Sequence, residues 1–411
     1  MKVAFVDMDN IQNNFYNYAR YGRRLGLDSY VLLPDEDQTF PWYQPGWSDP
    51  AARQGDPEWV RRAHAPRDPL GAPLSYLRGE AALVRALRGF EAIVCSGLGL
   101  MWARWARRPF VFISFGSDLD QLARQGWSGN PVEHARPGWL RRFGHEVRRR
   151  RYLEALPHAA RAIVAPHQAA WARELGLREL RWMNHVLDLD VFHPLSTEER
   201  AAERAGLLSR FSGDHLVYVG SRCVWRHPEL TDYKGTDVIL RSLARVRPRL
   251  RGRLRVLMAE KGWDLEDTRA LVDSLGLSDA VTWLPPMPRP ELARVYAASD
   301  VVLDQFGVGI LALVAVEAMA AGTAVFTKLP QVPDAPFYAE PPGFAHADGE
   351  TLADRVGHVL SREDERRRLA GEAADWARRN CHWSVGMGQI ASVLAEVASV
   401  PLRRQAVAGT A

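Results

Sequence analysis

The stretch Val301–Phe326, VVLDQFGVGILALVAVEAMAAGTAVF, constrains this chain more than any other. Val301, Val302 and Leu303 read as a short buried strand, and Asp304 and Gln305 follow in a Gly-rich turn. A helix is expected from about Ile310 to Ala321, closed by Gly322, with a second apolar strand opening at Ala324. Strand, glycine turn, helix and strand make a parallel crossover whose turn and helix N-terminus face one edge of the sheet. The helix carries one acid, Glu317, in an otherwise apolar run. Such a carboxylate is either a structural partner or a hook for ligand hydroxyls, and the surrounding pattern favours the hook.

The same alternation runs through the chain. In the N-terminal half, strands are expected at Val3–Val6, Ser29–Leu33, Ala92–Cys95, Pro109–Ser114 and Arg161–Ala165. Helices are expected from Asn10, near Leu74–Arg88, after Gly99 and over Trp139–Leu156. Phe40–Pro73, rich in Pro, Trp, Asp and Arg, shows neither period and reads as a long surface loop or a cap on the sheet edge. Between Arg181 and Pro194 the rhythm breaks, which marks a domain boundary. A second series follows: strands Leu216–Val219, Leu254–Met258 and Val281–Leu284, with helices Thr236–Val246, Leu265–Leu275 and Pro290–Ala298. The expected organisation is a domain over 1–183, a linker over 184–210 and a second domain over 211–380. A C-terminal helix over 381–400 is expected to pack back on the first domain, with a frayed tail over 401–411. The fold class is α/β, two Rossmann-like doubly wound domains facing a central cleft.

At 411 residues, 47% hydrophobic and 25% charged, the chain has the length and composition of a soluble protein of two or three domains. Cys95, Cys223 and Cys381 lie far apart, which argues against a disulfide framework or a zinc site and fits a reducing cytoplasm. The start reads as a strand rather than a signal peptide, and no apolar run is long enough to span a membrane. The mild net charge of +4 does not choose between anionic substrates, an acidic membrane surface and nucleic acid.

At the rim where the strands end, Lys234 at a helix N-terminus and Arg222 one loop earlier supply two cations beside free N–H groups, a place to hold a diphosphate. They also fit a solvated surface pair. Asp304 and Gln305 project from a strand end; Asp304 also fits a helix cap.

These residues resemble a known family. Lys234-Gly-Thr-Asp, then Asp304-Gln305 and Glu317-Ala-Met-Ala-Ala-Gly322, is similar to the C-terminal nucleotide-sugar domain of GT-B glycosyltransferases, in particular the retaining enzymes of glycosyltransferase family 4. Asn184–Pro194 resembles that family's linker motif, and Tyr296-Ala-Ala-Ser-Asp300 its approach to the donor strand. The resemblance implies transfer of a sugar from a nucleotide-diphosphate sugar to a glycan, lipid-linked or small-molecule acceptor, without a metal or other cofactor. It implies that Glu317 binds the ribose and that Lys234, with Arg222, neutralises the diphosphate. Backbone N–H groups of Leu311, Ala312 and Leu313 would extend that cradle.

This sequence departs from the family in three places. The first of the family's two glutamates falls on Gly309, so Asp304 or Gln305 is expected to take over its catalytic role. Phe115 stands where a histidine is common, with Asp118 nearby as the remaining catalytic candidate. The early glycine-rich loop gives way to Asp9–Asn14, whose Asn10, Asn13 and Asn14 could bind a sugar; Asn10 could equally cap a helix.

Arg136–Tyr152 mixes arginines with Trp139, Leu140, Phe143 and Val147 on one helical face. Such a helix can lie on an anionic leaflet, which would place a cytoplasmic protein at the inner face of the membrane. A core-facing helix with a solvated basic side is the preferred reading. Nucleic acid is not an expected partner, since no recognition module with interleaved aromatics and lysines is visible. A sugar-nucleotide binder that has lost turnover is the alternative to an enzyme.

Overall fold

The computed structural model describes residues 1–7, 13–35, 43–64, 73–126, 138–210, 213–228, 230, 232–307, 309–329 and 340–398. The chain forms two units. The first comprises Met1–Met183 and Met387–Ala411, and the second Asn184–Gly386.

In the first unit seven strands are β1 (Lys2–Val6), β2 (Asp28–Pro34), β3 (Val60–Ala63), β4 (Ala92–Cys95), β5 (Phe110–Ile113), β6 (Arg161–Ile163) and β7 (Leu180–Arg181). They pair in parallel in the order β3-β2-β1-β4-β5-β6-β7. In the second unit β8 (His215–Val219), β9 (Leu254–Ala259), β10 (Val281–Leu284), β11 (Val301–Leu303) and β12 (Ala324–Phe326) pair in parallel as β10-β9-β8-β11-β12. Each order runs outward from a central pair, so each sheet has a switch point, β1/β4 in one and β8/β11 in the other.

Near-continuous apolar strands are buried on both faces, as parallel sheets require. The strand period of two sorts them. Val217, Val219, Val256, Met258, Val301 and Leu303 enter one core; Leu216, Tyr218, Leu257, Val302 and Val325 enter the core on the other face. The helices Thr236–Val246 and Leu352–Ser361 cover the first of these, and the helices Arg289–Ala298, Leu313–Ala320 and Glu363–Cys381 the second.

Several expected boundaries shift in the structure. The first helix starts at Asn14, not Asn10, which lies outside the described residues; Asn13 precedes it in the left-handed region at φ 57°. The loop expected over 40–73 contains the helix Pro45–Ser48 and the edge strand β3, which pairs with β2. β3 is only four residues long, VRRA, with Val60 alone buried, too short and too polar to show a strand period. The segment 184–210 includes the helix Thr197–Arg210, tied into the second unit by Arg204 on Asp300 at 2.9 Å. The final helix Trp383–Ala398 carries the chain back into the first unit, where Glu396 accepts from Arg161 and Arg181, each at 2.9 Å. The expected frayed tail lies outside the described residues.

The preferred core-facing reading of the basic helix is also overturned. Trp139–Ala155 packs through Gly144, Tyr152 and Ala155, whereas Trp139 is 75% exposed and Phe143 61%, with Leu140 and Val147 beside them. Among the described residues no helix is long and apolar enough to cross a membrane.

Candidate functional site

The switch point of the second sheet gathers most of the residues singled out in the sequence. Neighbouring strands β8 and β11 end side by side, with the Gly220 N–H donating to the Leu303 carbonyl at 3.1 Å. Ser221 therefore follows one strand end and Asp304 the other. Both are buried, at 5% and 2% exposure, and Ser221 Oγ and Asp304 Oδ2 have no hydrogen-bond partner among the described residues. Buried polar atoms are seldom left so, because an unmade hydrogen bond costs about 1–3 kcal/mol.

Beside them lies a charged cluster. Lys234 Nζ donates to Gln305 Oε1 at 3.1 Å and sits 3.0 Å from Asp232 Oδ1. Arg222 binds both Asp232 oxygens, at 2.6 and 2.7 Å. The two expected phosphate-binding cations thus stand together, but neither is free: Asp232 pairs with both. The Gln305 amide donates to the Ile310 carbonyl at 2.7 Å, which fixes its oxygen toward Lys234. Lys261, at the end of β9, is held down to about 8 by burial and by Arg222, and Lys328 donates to the Gly307 carbonyl at 3.2 Å.

The helix expected from Ile310 begins at Leu313, with Ala312 at its N-cap. Leu311 is buried and precedes the helix, so the free N–H groups of the first turn start at Leu313. One of them, from Ala315, is directed to Asp304. Burial pushes Asp304 up to about 7, Lys234 and the Ala315 N–H oppose this, and nearby Glu317 adds to it.

Glu317, 4% exposed, is engaged rather than free. The Arg289 guanidinium donates to its Oε1, and the Tyr296 hydroxyl to its Oε2 at 3.3 Å. Burial raises its pKa and these two donors pull it back. Of the two readings of this acid, the structure displays the structural partner.

The candidates in the first unit are placed differently. Asp118 accepts from Ser114 Oγ at 2.7 Å, Leu119 N–H at 3.0 Å and Phe115 N–H at 3.2 Å, so it ties together its own turn after β5. Burial pushes it up to about 6 against these three bonds. Phe115 packs its ring on Phe15 and Tyr18, at 5.6 and 6.5 Å between centroids. Asn13 is buried at the start of the first helix and Asn14 is its first residue.

Sequence reasoning missed Arg289, Asp232, Ser221, Lys261 and Lys328. One signal was available for Arg289. A cation in the first turn of a helix opposes the helix dipole and implies an acid nearby. The others depend on which loops meet, which no local pattern reveals. Among the described residues no group of three or more His, Cys, Asp or Glu is placed to hold a metal ion.

Residues 220–376 match the family model described as Glycosyl transferases group 1. Every residue of the cluster around β8 and β11 falls inside that matched segment. The D-inositol 3-phosphate glycosyltransferase of Saccharomonospora viridis is 34% identical over 215 residues, 49% of this chain and 46% of that relative. One from Mycobacterium sp. strain KMS is 37% identical over 144 residues, 34% of this chain and 29% of the relative. The chain thus spans less than half the length of these curated relatives. Among solved structures, Anabaena HepE in complex with UDP and glucose superposes with a TM-score of 0.67 at 17% identity, over 96% of this chain and 100% of that one. WaaG, a glycosyltransferase involved in lipopolysaccharide biosynthesis, gives 0.61 at 14% identity, over 97% and 100%. At these identities the likeness shows the shared two-domain GT-B fold.

Proposed function

We propose that this chain is a glycosyltransferase that takes a sugar from a nucleotide-diphosphate donor held at the β8/β11 switch point. The carrying observation is the pair of unpartnered buried atoms, Ser221 Oγ and Asp304 Oδ2, beside Lys234 and Arg222 within the matched segment. A hydroxyl-rich, doubly charged ligand would satisfy both sets at once.

In this reading Lys234 and Arg222 stabilise the departing diphosphate, joined by the first-turn N–H groups from Leu313 onward, which take over the part expected of Leu311 and Ala312. Their charge supports a metal-independent transfer. Glu317 binds the ribose, and Asp304 with Gln305 faces the transferred sugar where Gly309 supplies no carboxylate. Retention of configuration follows the resemblance to family 4. The acceptor, a glycan, a lipid-linked or a small molecule, would meet the first domain, where Asp118, Asn10, Asn13 and Asn14 are the candidates. Release of UDP or GDP from a panel of sugar nucleotides tests the proposal, and Lys234→Ala and Glu317→Ala should each lower it. A protein stabilised by a sugar nucleotide yet never turning one over would instead be a binder. Gly309 and the pairing of both cations with Asp232 favour that second reading.

The exposed face of Trp139, Leu140, Phe143 and Val147 supports peripheral contact with an anionic membrane, and with it a place at the inner leaflet.

A further inference from the structure

Arg289 opens the helix Arg289–Ala298, where free N–H groups already present positive partial charge. Its side chain and that of Glu317 are only 12% and 5% exposed, and the two are in hydrogen-bonding contact. The guanidinium also lies over the Phe192 ring, 5.2 Å from its centroid, which fixes the plane of the fork. Tyr296, two turns along the same helix, donates to the other Glu317 oxygen. One helix therefore grips both oxygens of the carboxylate. An ionised carboxylate has about four acceptor sites. With one used on each oxygen, about one remains on each, the number that a vicinal diol needs.

We propose that Arg289, seconded by Tyr296, is a positioning residue that keeps Glu317 ionised and turned so that its remaining lone pairs accept the two ribose hydroxyls of the donor. This rests on the reading of Glu317 as the ribose-binding group. Burial by itself drives a carboxylate toward its neutral form, which would present a proton where an acceptor is needed. Among the described residues the ionisable groups facing Glu317 are Arg289 and Tyr296 from one helix, Tyr218 from β8 and Asp304 just after β11. The helix Glu363–Cys381 packs on this side through Ala373, Trp376 and Ala377, which are uncharged. Of these groups Arg289 alone brings positive charge.

The test is calorimetric titration of UDP, GDP and ADP against wild type, Arg289→Gln, Arg289→Lys, Tyr296→Phe and Glu317→Gln at a series of pH values from mildly acidic to mildly alkaline, since burial raises the carboxylate's pKa. Arg289→Gln should weaken the preferred nucleotide about tenfold or more at neutral pH, with affinity recovering as rising pH ionises Glu317. Arg289→Lys should keep most of the affinity and the wild-type pH profile. Tyr296→Phe should lose roughly two- to fivefold with the same upward displacement of the profile, and it serves if Arg289→Gln fails to fold. In turnover, KM for the donor should rise more than kcat falls. A pH-independent loss in Arg289→Gln, as a structural role would give, overturns the proposal, as does wild-type affinity. If Glu317→Gln binds the preferred nucleotide like wild type, and the 2′-deoxy form of that nucleotide, titrated alongside, binds wild type like its parent, the ribose reading itself fails. If they weaken while Arg289→Gln does not, only the role of Arg289 falls. A wild type bound by none of the three nucleotides removes the donor site.

Discussion

The backbone N–H of Phe306 donates to the carbonyl of Lys234 at 2.8 Å. This bond ties the turn after β11 to the turn that opens the helix Thr236–Val246, so Asp304 and Gln305 are held beside Lys234 by main chain. The approach depends on two glycines. A Cβ at Gly307 would stand 1.9 Å from the Tyr233 carbonyl oxygen. At Gly235, itself at φ 69°, a Cβ would stand 2.9 Å from the Phe306 carbonyl carbon.

Gly307→Ala should therefore part the two turns. Forcing a methyl into backbone costs about 1–3 kcal/mol, and the distance between Lys234 and Gln305 should open with it. Urea unfolding and UDP titration are expected to show a destabilised protein with at least about tenfold weaker nucleotide binding, since about 1.4 kcal/mol is a tenfold change. Wild-type affinity in a destabilised Gly307→Ala would show that the junction serves folding only.

Asp232 makes a second prediction, because it occupies the cations that a diphosphate would need. Asp232 and Lys234 are largely buried, at 14% and 19% side-chain exposure, so their pair is worth at least the roughly 0.2–1 kcal/mol of an exposed one. Asp232→Asn should therefore tighten pyrophosphate or UDP binding by roughly two- to fivefold, with a steeper salt dependence. Weaker binding would mean that Asp232 orients the two cations rather than competing for them.

The crossover over Val301–Phe326 was legible because its signals are local: apolar strands, Gly322 after the helix, and a lone acid. Lys234 and Arg222 were legible as a pair because each sits just after a strand or just before a helix. Asp232 was not, since its importance lies in a loop folding back on itself. The start of the helix was misplaced for a related reason. Gly309 takes φ 68° and Gln305 binds the Ile310 carbonyl, so the three residues before Leu313 serve the turn despite their helical composition. The exposed face of Trp139–Ala155 was misread because periodicity reports an apolar stripe and says nothing about what covers it.

Asp304 gives a pH signature. Its pKa of about 7 in the folded protein lies above the ordinary value of about 3.9 expected on unfolding. The unfolded chain loses this proton first, so the contribution to stability is full below about pH 4 and lost as pH rises through about 7. Asp304→Asn cannot ionise and should flatten that decline, being more stable than wild type at about pH 8 by on the order of 2–4 kcal/mol. Urea midpoints measured across pH check this, and parallel curves for the two proteins would count against a titrating Asp304.

Removing Glu317 has two separable effects. Glu317→Ala strands Arg289 in a buried position without its acid, and breaking such a pair costs about 3–5 kcal/mol. Glu317→Gln still accepts one hydrogen bond and should cost clearly less, while lowering turnover as much. Denaturation and donor hydrolysis measured on both variants distinguish them. Equal stability of the two would mean that Arg289 finds another partner.

The face of Trp139, Leu140, Phe143 and Val147 needs an occupant, and the neighbouring charges favour anionic lipid. Arg141 and Arg142 are exposed beside it and have no partner among the described residues, whereas Arg149 and Arg150 are engaged by Glu146. A second copy docked through the same face would set arginine against arginine. An anionic leaflet attracts each basic residue by about 1 kcal/mol near its surface, and tryptophan suits the headgroup level. The protein should float with vesicles containing phosphatidylglycerol and stay behind with pure phosphatidylcholine. Arg141→Gln with Arg142→Gln should reduce flotation, as should high salt, and Trp139→Ala with Phe143→Ala should abolish it. Undiminished flotation of that last variant would assign the contact to another surface.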